Sequence, residues 1–179
     1  TPTIGMLGII DDVDNIMTLD FKNEGDLIYL IGECKNDISS SEYLVHYHKV
    51  ELSPAPHFEL KEEAQVQDAV AKLIENKLIK SAHDLSEGGL FIAVLESAMI
   101  NNLGFEITTC QSIRRDACLF GEGQSRVVVS IAADTKDSFV DFLKANNIPN
   151  RFLGTVKGKD ILIDGENFSS IAEYKDLYD

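Results

Sequence analysis

The chain has 179 residues, with 30 Asp and Glu against 16 Lys and Arg, a formal net charge of −14. That length gives one ordinary domain burying roughly 70% of its unfolded surface, and 44% hydrophobic with 26% charged residues describes a soluble globular chain rather than a disordered one. The acidity excludes nucleic acid and anionic membranes as partners, because both need Lys and Arg at the contact; a phosphate ligand would draw its positive charge from metal ions, backbone amides or a second polypeptide segment.

In chain order, the apolar run Ile4 to Ile10 before the acidic turn Asp11-Asp12-Val13-Asp14 predicts a buried strand, and Leu27 to Gly32 predicts a second. A short helix is expected from Ser41, with Glu42 in its first turn, and Pro54-Ala55-Pro56 then breaks the chain. From Glu62, Val66, Val70, Leu73, Ile74 and Leu78 share one face of an amphipathic helix. A second helix is expected over Ser86 to Asn101 with Phe91, Val94, Leu95, Ala98 and Met99 inward. Strands follow at Phe105 to Thr108 and Arg126 to Ile131. Asp134-Thr135 can cap a helix burying Phe139, Phe142 and Leu143 and ending at Asn146-Asn147. Phe152 to Val156 and Asp160 to Ile163, joined across Lys157-Gly158-Lys159, predict a hairpin, and Ser170 to Leu177 a closing helix. Mixed elements without strict βα alternation predict an α+β domain, a mainly antiparallel sheet covered by helices, as one unit over residues 1–179.

The longest apolar stretch, Gly89 to Ile100, carries Glu96 and Ser97 and falls short of the ~20 residues of a membrane span. The opening Thr1-Pro2-Thr3-Ile4 has no basic segment and no initiator Met, so no signal peptide is expected, and a piece of something longer is. Cys34, Cys110 and Cys118 form no C-x-x-C pair, which suits reduced thiols in a cytoplasmic protein.

Two segments carry candidate chemistry. In Ser81-Ala82-His83-Asp84-Leu85-Ser86-Glu87-Gly88-Gly89-Leu90, Asp84 and Glu87 have capping-box spacing, so a loop should turn here into the second helix. Two glycines in a first helical turn cost about 1 kcal/mol each relative to alanine. Either close packing on a neighbouring element repays this, or the amides of Gly88 and Gly89 approach a phosphate, with Asp84 holding Mg²⁺ and His83 donating a hydrogen bond. In Phe120-Gly121-Glu122-Gly123-Gln124-Ser125-Arg126, Arg126, Gln124 and Ser125 on a glycine loop can bind an anion or an amide; a plain turn with Arg126 paired to a surface carboxylate is the competing reading. His46 and His48, two apart on a helix, point about 200° from each other and cannot chelate one ion.

In order and spacing, Ile4-Gly5-Met6-Leu7-Gly8, Gly25 to Gly32, Ser81 to Leu90 and Phe120 to Arg126 resemble the C-terminal domain of phosphoribosylformylglycinamidine (FGAM) synthase, synthetase subunit, across nearly the whole chain. This domain type also occurs in aminoimidazole ribonucleotide (AIR) synthetase and selenophosphate synthetase. The resemblance implies an AIR synthetase-like C-terminal fold and a place in purine biosynthesis, where the family enzyme uses ATP and Mg²⁺ to turn formylglycinamide ribonucleotide into the amidine. It implies as partners the ATP-binding domains of the same polypeptide, a glutaminase subunit and a small accessory subunit. It marks this domain as the last of four, inactive alone, with its catalytic histidine elsewhere and with this half auxiliary. His83, Gly88, Gly89, Glu122, Gln124, Ser125 and Arg126 become substrate or nucleotide candidates on that basis, and Asp84 a metal candidate. Ser39-Ser40-Ser41-Glu42-Tyr43 departs from the family, where glycines precede Ser-Glu. The alternatives are a non-catalytic docking scaffold of that complex or the C-terminal domain of a related ATP-using synthetase of the AIR or selenophosphate type, and a face left without its neighbours would favour self-association.

Overall fold

The computed structural model describes residues 5–10 and 12–178. One seven-stranded sheet runs in the order β2-β4-β1-β5-β3-β6-β7, comprising β1 Leu27–Ile31, β2 Ser81–Asp84, β3 Phe105–Ile107, β4 Val127–Ile131, β5 Asn150–Val156, β6 Asp160–Ile163 and β7 Glu166–Ser170. Five of its pairings are antiparallel and one, β3 with β6, is parallel. The α+β expectation holds.

Helices cover both faces, and β1 shows why. Its side chains alternate, so Ile28 and Leu30 enter one core while Tyr29 and Ile31 enter the other. A strand buried on both sides reads as a continuous apolar run, as Leu27 to Ile31 does. On the Tyr29 face lie α1, Leu60–Glu75, through Val66, Ala69 and Leu73, and α4, Lys136–Ala145, through Phe139 and Leu143. On the Ile28 face lie α2, Gly89–Met99, α3, Arg115–Phe120, and α5, Ile171–Tyr178. Nearly every side of α2 is apolar because it is wedged between the sheet and the other two helices. Phe91, only partly buried, meets Phe120 and Tyr174 edge-on at 5.8 and 5.9 Å.

Several expectations need correction. Gly5 to Ile10 forms no strand and is exposed, with Met6 at 89% and Leu7 at 104%; no strand of the described sheet reaches it. The remaining residue of that expected strand, Ile4, lies outside the described residues. The helix at Tyr43–Tyr47 is π-helical. Leu78 falls beyond the end of α1, after Lys77 at φ 54° has broken it. The hairpin joining β5 and β6 does not form, because β3 inserts between them, antiparallel to β5 and parallel to β6. The hairpin that does form is β6 with β7, turning on Asp164-Gly165 at φ 54° and 81°. Thr135 precedes α4, but its hydroxyl donates to the Ala132 carbonyl and caps nothing.

Candidate functional site

The two motif segments meet at the N-terminus of α2. Ser81–Asp84 is not a loop but edge strand β2, paired with β4 through His83↔Val128 and Asp84↔Val127. The capping box does not form either: Asp84 is still in the strand, and the N-cap is Gly88 in the left-handed region at φ 78°, with no side-chain cap of its own.

Strand alternation separates the two residues expected to share a ligand. His83 faces α2, where Nδ1 lies 3.0 Å from the Ala93 carbonyl oxygen and Nε2 3.3 Å from Glu96 Oε2. Asp84 faces the other way, toward α1, and is exposed. One phosphate or metal cannot meet both side chains directly.

The glycines are explained by packing and by an internal anion. A Cβ on Gly89 would stand 2.6 Å from the Gly121 carbonyl oxygen and 2.9 Å from that of Leu119, and Gly89 has φ 65°. A Cβ on Gly88 would meet Ile92 Cγ1 at 2.3 Å. The negative group that the helix N-terminus favours comes from within the chain: Glu122 Oε1 accepts from the Gly88 N–H at 2.8 Å and from the Glu42 N–H at 2.8 Å. One carboxylate thus ties the start of α2 to the start of the π-helical turn.

The rest of the glycine loop is also turned inward. Arg126 is 3% exposed, donating from Nε to the Gly123 carbonyl at 2.9 Å and from a terminal nitrogen to the Gly121 carbonyl at 2.7 Å. It neither faces solvent nor pairs with the surface carboxylate expected of it. Ser125, at φ 65°, donates to Glu63 Oε2 at 2.8 Å. Ser40 and Ser41 brace the adjoining loop: Ser40 N donates to Ser53 Oγ at 2.7 Å and Ser41 Oγ to the Ile38 carbonyl at 2.7 Å. These serines hold one conformation where glycines would leave the chain loose.

Of the candidates, Asp84 and Gln124 keep exposed side chains. They line a groove of about 470 Å³ between α1 and the β2 edge, floored by Val66, Val70 and Val127. A phosphate at the start of α2 does not fit these residues, because the Gly88 amide is taken and the Glu122 carboxylate would repel a second anion. For Mg²⁺ the groove offers the carboxylates of Asp84 and Glu63, the latter already accepting from Ser125; among the described residues no group of three or more His, Cys, Asp or Glu could hold a metal ion. His46 pairs instead with Glu42, at 2.7 Å. Among the described residues no helix is long and apolar enough to cross a membrane.

The sequence reading passed over Glu63 and Asp37, which complete this junction. Asp37 accepts from the Ser39 and His57 amides, and with them its carboxyl is held below the usual carboxylate range, first by Ser39 and against some burial. Neither residue belongs to a motif, and only the tertiary fold brings them to the loop.

Comparison with known proteins agrees with this architecture. The family described as AIR synthase related protein, C-terminal domain, matches residues 23–164. The chain is 42% identical over 165 residues to the phosphoribosylformylglycinamidine synthase subunit PurL of Caldanaerobacter subterraneus, covering 92% of this chain and 22% of that protein. It is 40% identical over 161 residues to PurL of Alkaliphilus metalliredigens, covering 90% and 22%. The chain therefore spans about a fifth of the length of these curated relatives. Among solved structures, PurL of Thermotoga maritima complexed with FGAR superposes with a TM-score of 0.74 at 13% identity, over 90% of this chain and 29% of that one. Thiamine-monophosphate kinase from Stenotrophomonas maltophilia gives 0.57 at 18% identity, over 84% and 53%. At such identities the structural likeness concerns the fold alone. On the family match, over a sheet and helices that superpose on the same fold, the chain belongs to the AIR synthase related C-terminal domain family.

Proposed function

We propose that the chain is the C-terminal domain of an FGAM synthase synthetase subunit, part of an ATP- and Mg²⁺-dependent cytoplasmic ligase that converts formylglycinamide ribonucleotide to formylglycinamidine ribonucleotide in purine biosynthesis. The observation that carries the reading is 42% identity over 92% of the chain to a PurL subunit. Within that enzyme the domain acts as a scaffold. Its motif groups are spent on one another: Glu122 on the α2 amides, Arg126 on loop carbonyls, Ser125 on Glu63. Asp84 and Gln124 remain to face a neighbouring domain or a ligand across their groove. The partners of this reading are the ATP-binding domains of the same polypeptide, a glutaminase subunit and a small accessory subunit.

The test is turnover. With ATP, Mg²⁺, formylglycinamide ribonucleotide and ammonia, the isolated chain is expected to form no amidine, while the full-length protein from the parent gene does. Turnover by the isolated chain would refute the scaffold role, and none by the full-length protein would refute the assignment to this ligase.

A further inference from the structure

Of the four arginines in the chain, three are satisfied from within. Arg114 pairs with Asp116, Arg115 with Asp164 at 3.3 Å and Glu166 at 3.1 Å, and Arg126 is enclosed by the Gly121 and Gly123 carbonyls. Arg151, the second residue of β5, has no ion-pair partner among the described residues. Its side chain donates once, from a terminal nitrogen to the Thr109 carbonyl at 3.0 Å, and its buried Nε has no hydrogen-bond partner among the described residues. A guanidinium is permanently charged and carries five N–H donors in a planar fork. One carbonyl does not replace the hydration that partial burial removes, so the group favours an oxyanion beside it.

In the β1–β5 register Arg151 stands opposite Leu30, so its side chain lies on the Ile28 face, where Thr109 and Cys110 follow β3. There Glu33, Cys34, Cys110, Pro149 and Arg151 line a pocket of about 300 Å³. Glu33 is exposed, and it too has no ion-pair partner among the described residues. The cation and the carboxylate thus share one pocket wall while standing more than 4.0 Å apart. A simple anion drawn to Arg151 meets repulsion from Glu33, and a simple cation drawn to Glu33 meets it from Arg151. A molecule that carries both charges a few bonds apart satisfies both residues. The spacing is fixed by backbone: the Gly32 N–H donates to the Pro149 carbonyl at 2.8 Å, and Gly32, at φ 94°, has no room for a Cβ, which would stand 2.1 Å from the Ser125 carbonyl oxygen. The two chain segments that carry Glu33 and Arg151 are therefore held in place before any ligand arrives.

We propose that this pocket binds a small zwitterion of the α-amino-acid class, its carboxylate on the Arg151 guanidinium and its ammonium on Glu33, with Cys34, Cys110 and Pro149 against a short side chain. At about 300 Å³ the pocket sits at the lower end of ligand sites, which suits a molecule of amino-acid size. It has no lining residue in common with the Asp84 groove among the described residues, and the inference stands apart from the purine assignment.

The experiment is a titration of the protein with each standard L-amino acid, to about 10 mM, with the amide resonances of Gly32, Glu33 and Cys34 followed by heteronuclear NMR. At least one amino acid is expected to move these resonances saturably, while acetate and methylammonium, each carrying half of the charge pair, bind at least about tenfold more weakly. Glu33→Gln, a change on an exposed side chain, should weaken the amino acid by about tenfold or more and leave acetate binding no weaker, and Arg151→Gln should abolish both. No shift with any amino acid would overturn the proposal. So would acetate that binds as tightly as the amino acid, or Glu33→Gln that binds the amino acid as the parent does, because the pocket is then a plain anion site. The unsubstituted protein and Glu33→Gln decide the matter even where Arg151→Gln fails to fold.

Discussion

At the scale of single residues, Glu122 decides how the motif is read. Its carboxylate accepts two backbone N–H groups from segments 46 positions apart in sequence, Glu42 and Gly88. Glu122→Ala would leave both donors without that partner, at a cost of about 1–2 kcal/mol, since the Glu42 amide can recover a water. For a chain of this length that lowers Tm by roughly 2–8 °C. Glu122→Gln keeps an acceptor and should cost less than half as much. Asp84→Asn, on an exposed side chain, should stay within about 0.5 kcal/mol of the parent. Urea unfolding of the three variants checks the order, and an Asp84→Asn loss equal to that of Glu122→Ala would contradict it.

Among elements, the contact of α2 with the α3 end depends on a missing side chain. In Gly89→Ala the new methyl meets two backbone carbonyl oxygens, at 2.6 and 2.9 Å, in a left-handed backbone at φ 65°. Backbone cannot yield as a rotamer can, so a loss of about 2–4 kcal/mol is expected. In Gly88→Ala the new methyl meets Ile92 Cγ1 at 2.3 Å and Cβ at 2.9 Å, again in a left-handed backbone at φ 78°; a rotamer change moves Cγ1 but not Cβ, so a loss of about 1–3 kcal/mol is expected. A Gly89→Ala loss below about 1 kcal/mol in denaturant titrations would argue against packing as the role of Gly89. The sequence announced that these glycines were costly, but whether packing or a ligand repaid the cost was open until Leu119 and Gly121 were placed against them. Elements with strong local signals were legible in the same way: β1 and β4 by their apolar runs, α1 and α4 by their period. The insertion of β3 between β5 and β6 has no local signal, because Lys157-Gly158-Lys159 suits a turn wherever the chain goes next. The β6–β7 turn has a local signal that the Lys157-Gly158-Lys159 expectation does not use, since Asp-Gly is the residue pair that a two-residue hairpin prefers. His83 shows a different limit: Asp84 is its neighbour in sequence but not in space, because strand alternation turns the two side chains to opposite faces.

For the whole molecule, the two cores are closed by helices, yet apolar surface remains before the first strand. Met6, Leu7, Ile9 and Ile10 are 89, 104, 92 and 59% exposed, and Val13 and Ile16 continue the strip. The family model begins only at residue 23, and in polypeptides as long as the relatives other domains would be available to cover this strip. At 25 cal/mol per Å², fully covering one such side chain contributes about 1.5–3 kcal/mol. The net charge of −14 opposes association, but its repulsion is screened within about 8 Å at physiological salt, while apolar contact is not. The isolated chain is therefore expected to self-associate more as salt rises, seen as a sedimentation coefficient that grows with protein and salt concentration. Leu7→Lys with Ile9→Lys should return it to a monomer without changing its urea midpoint, because neither side chain packs in a core. A parent chain that stays monomeric at high salt would remove the strip as an adhesive surface, and a shifted midpoint in the double variant would show that the strip packs on the domain after all.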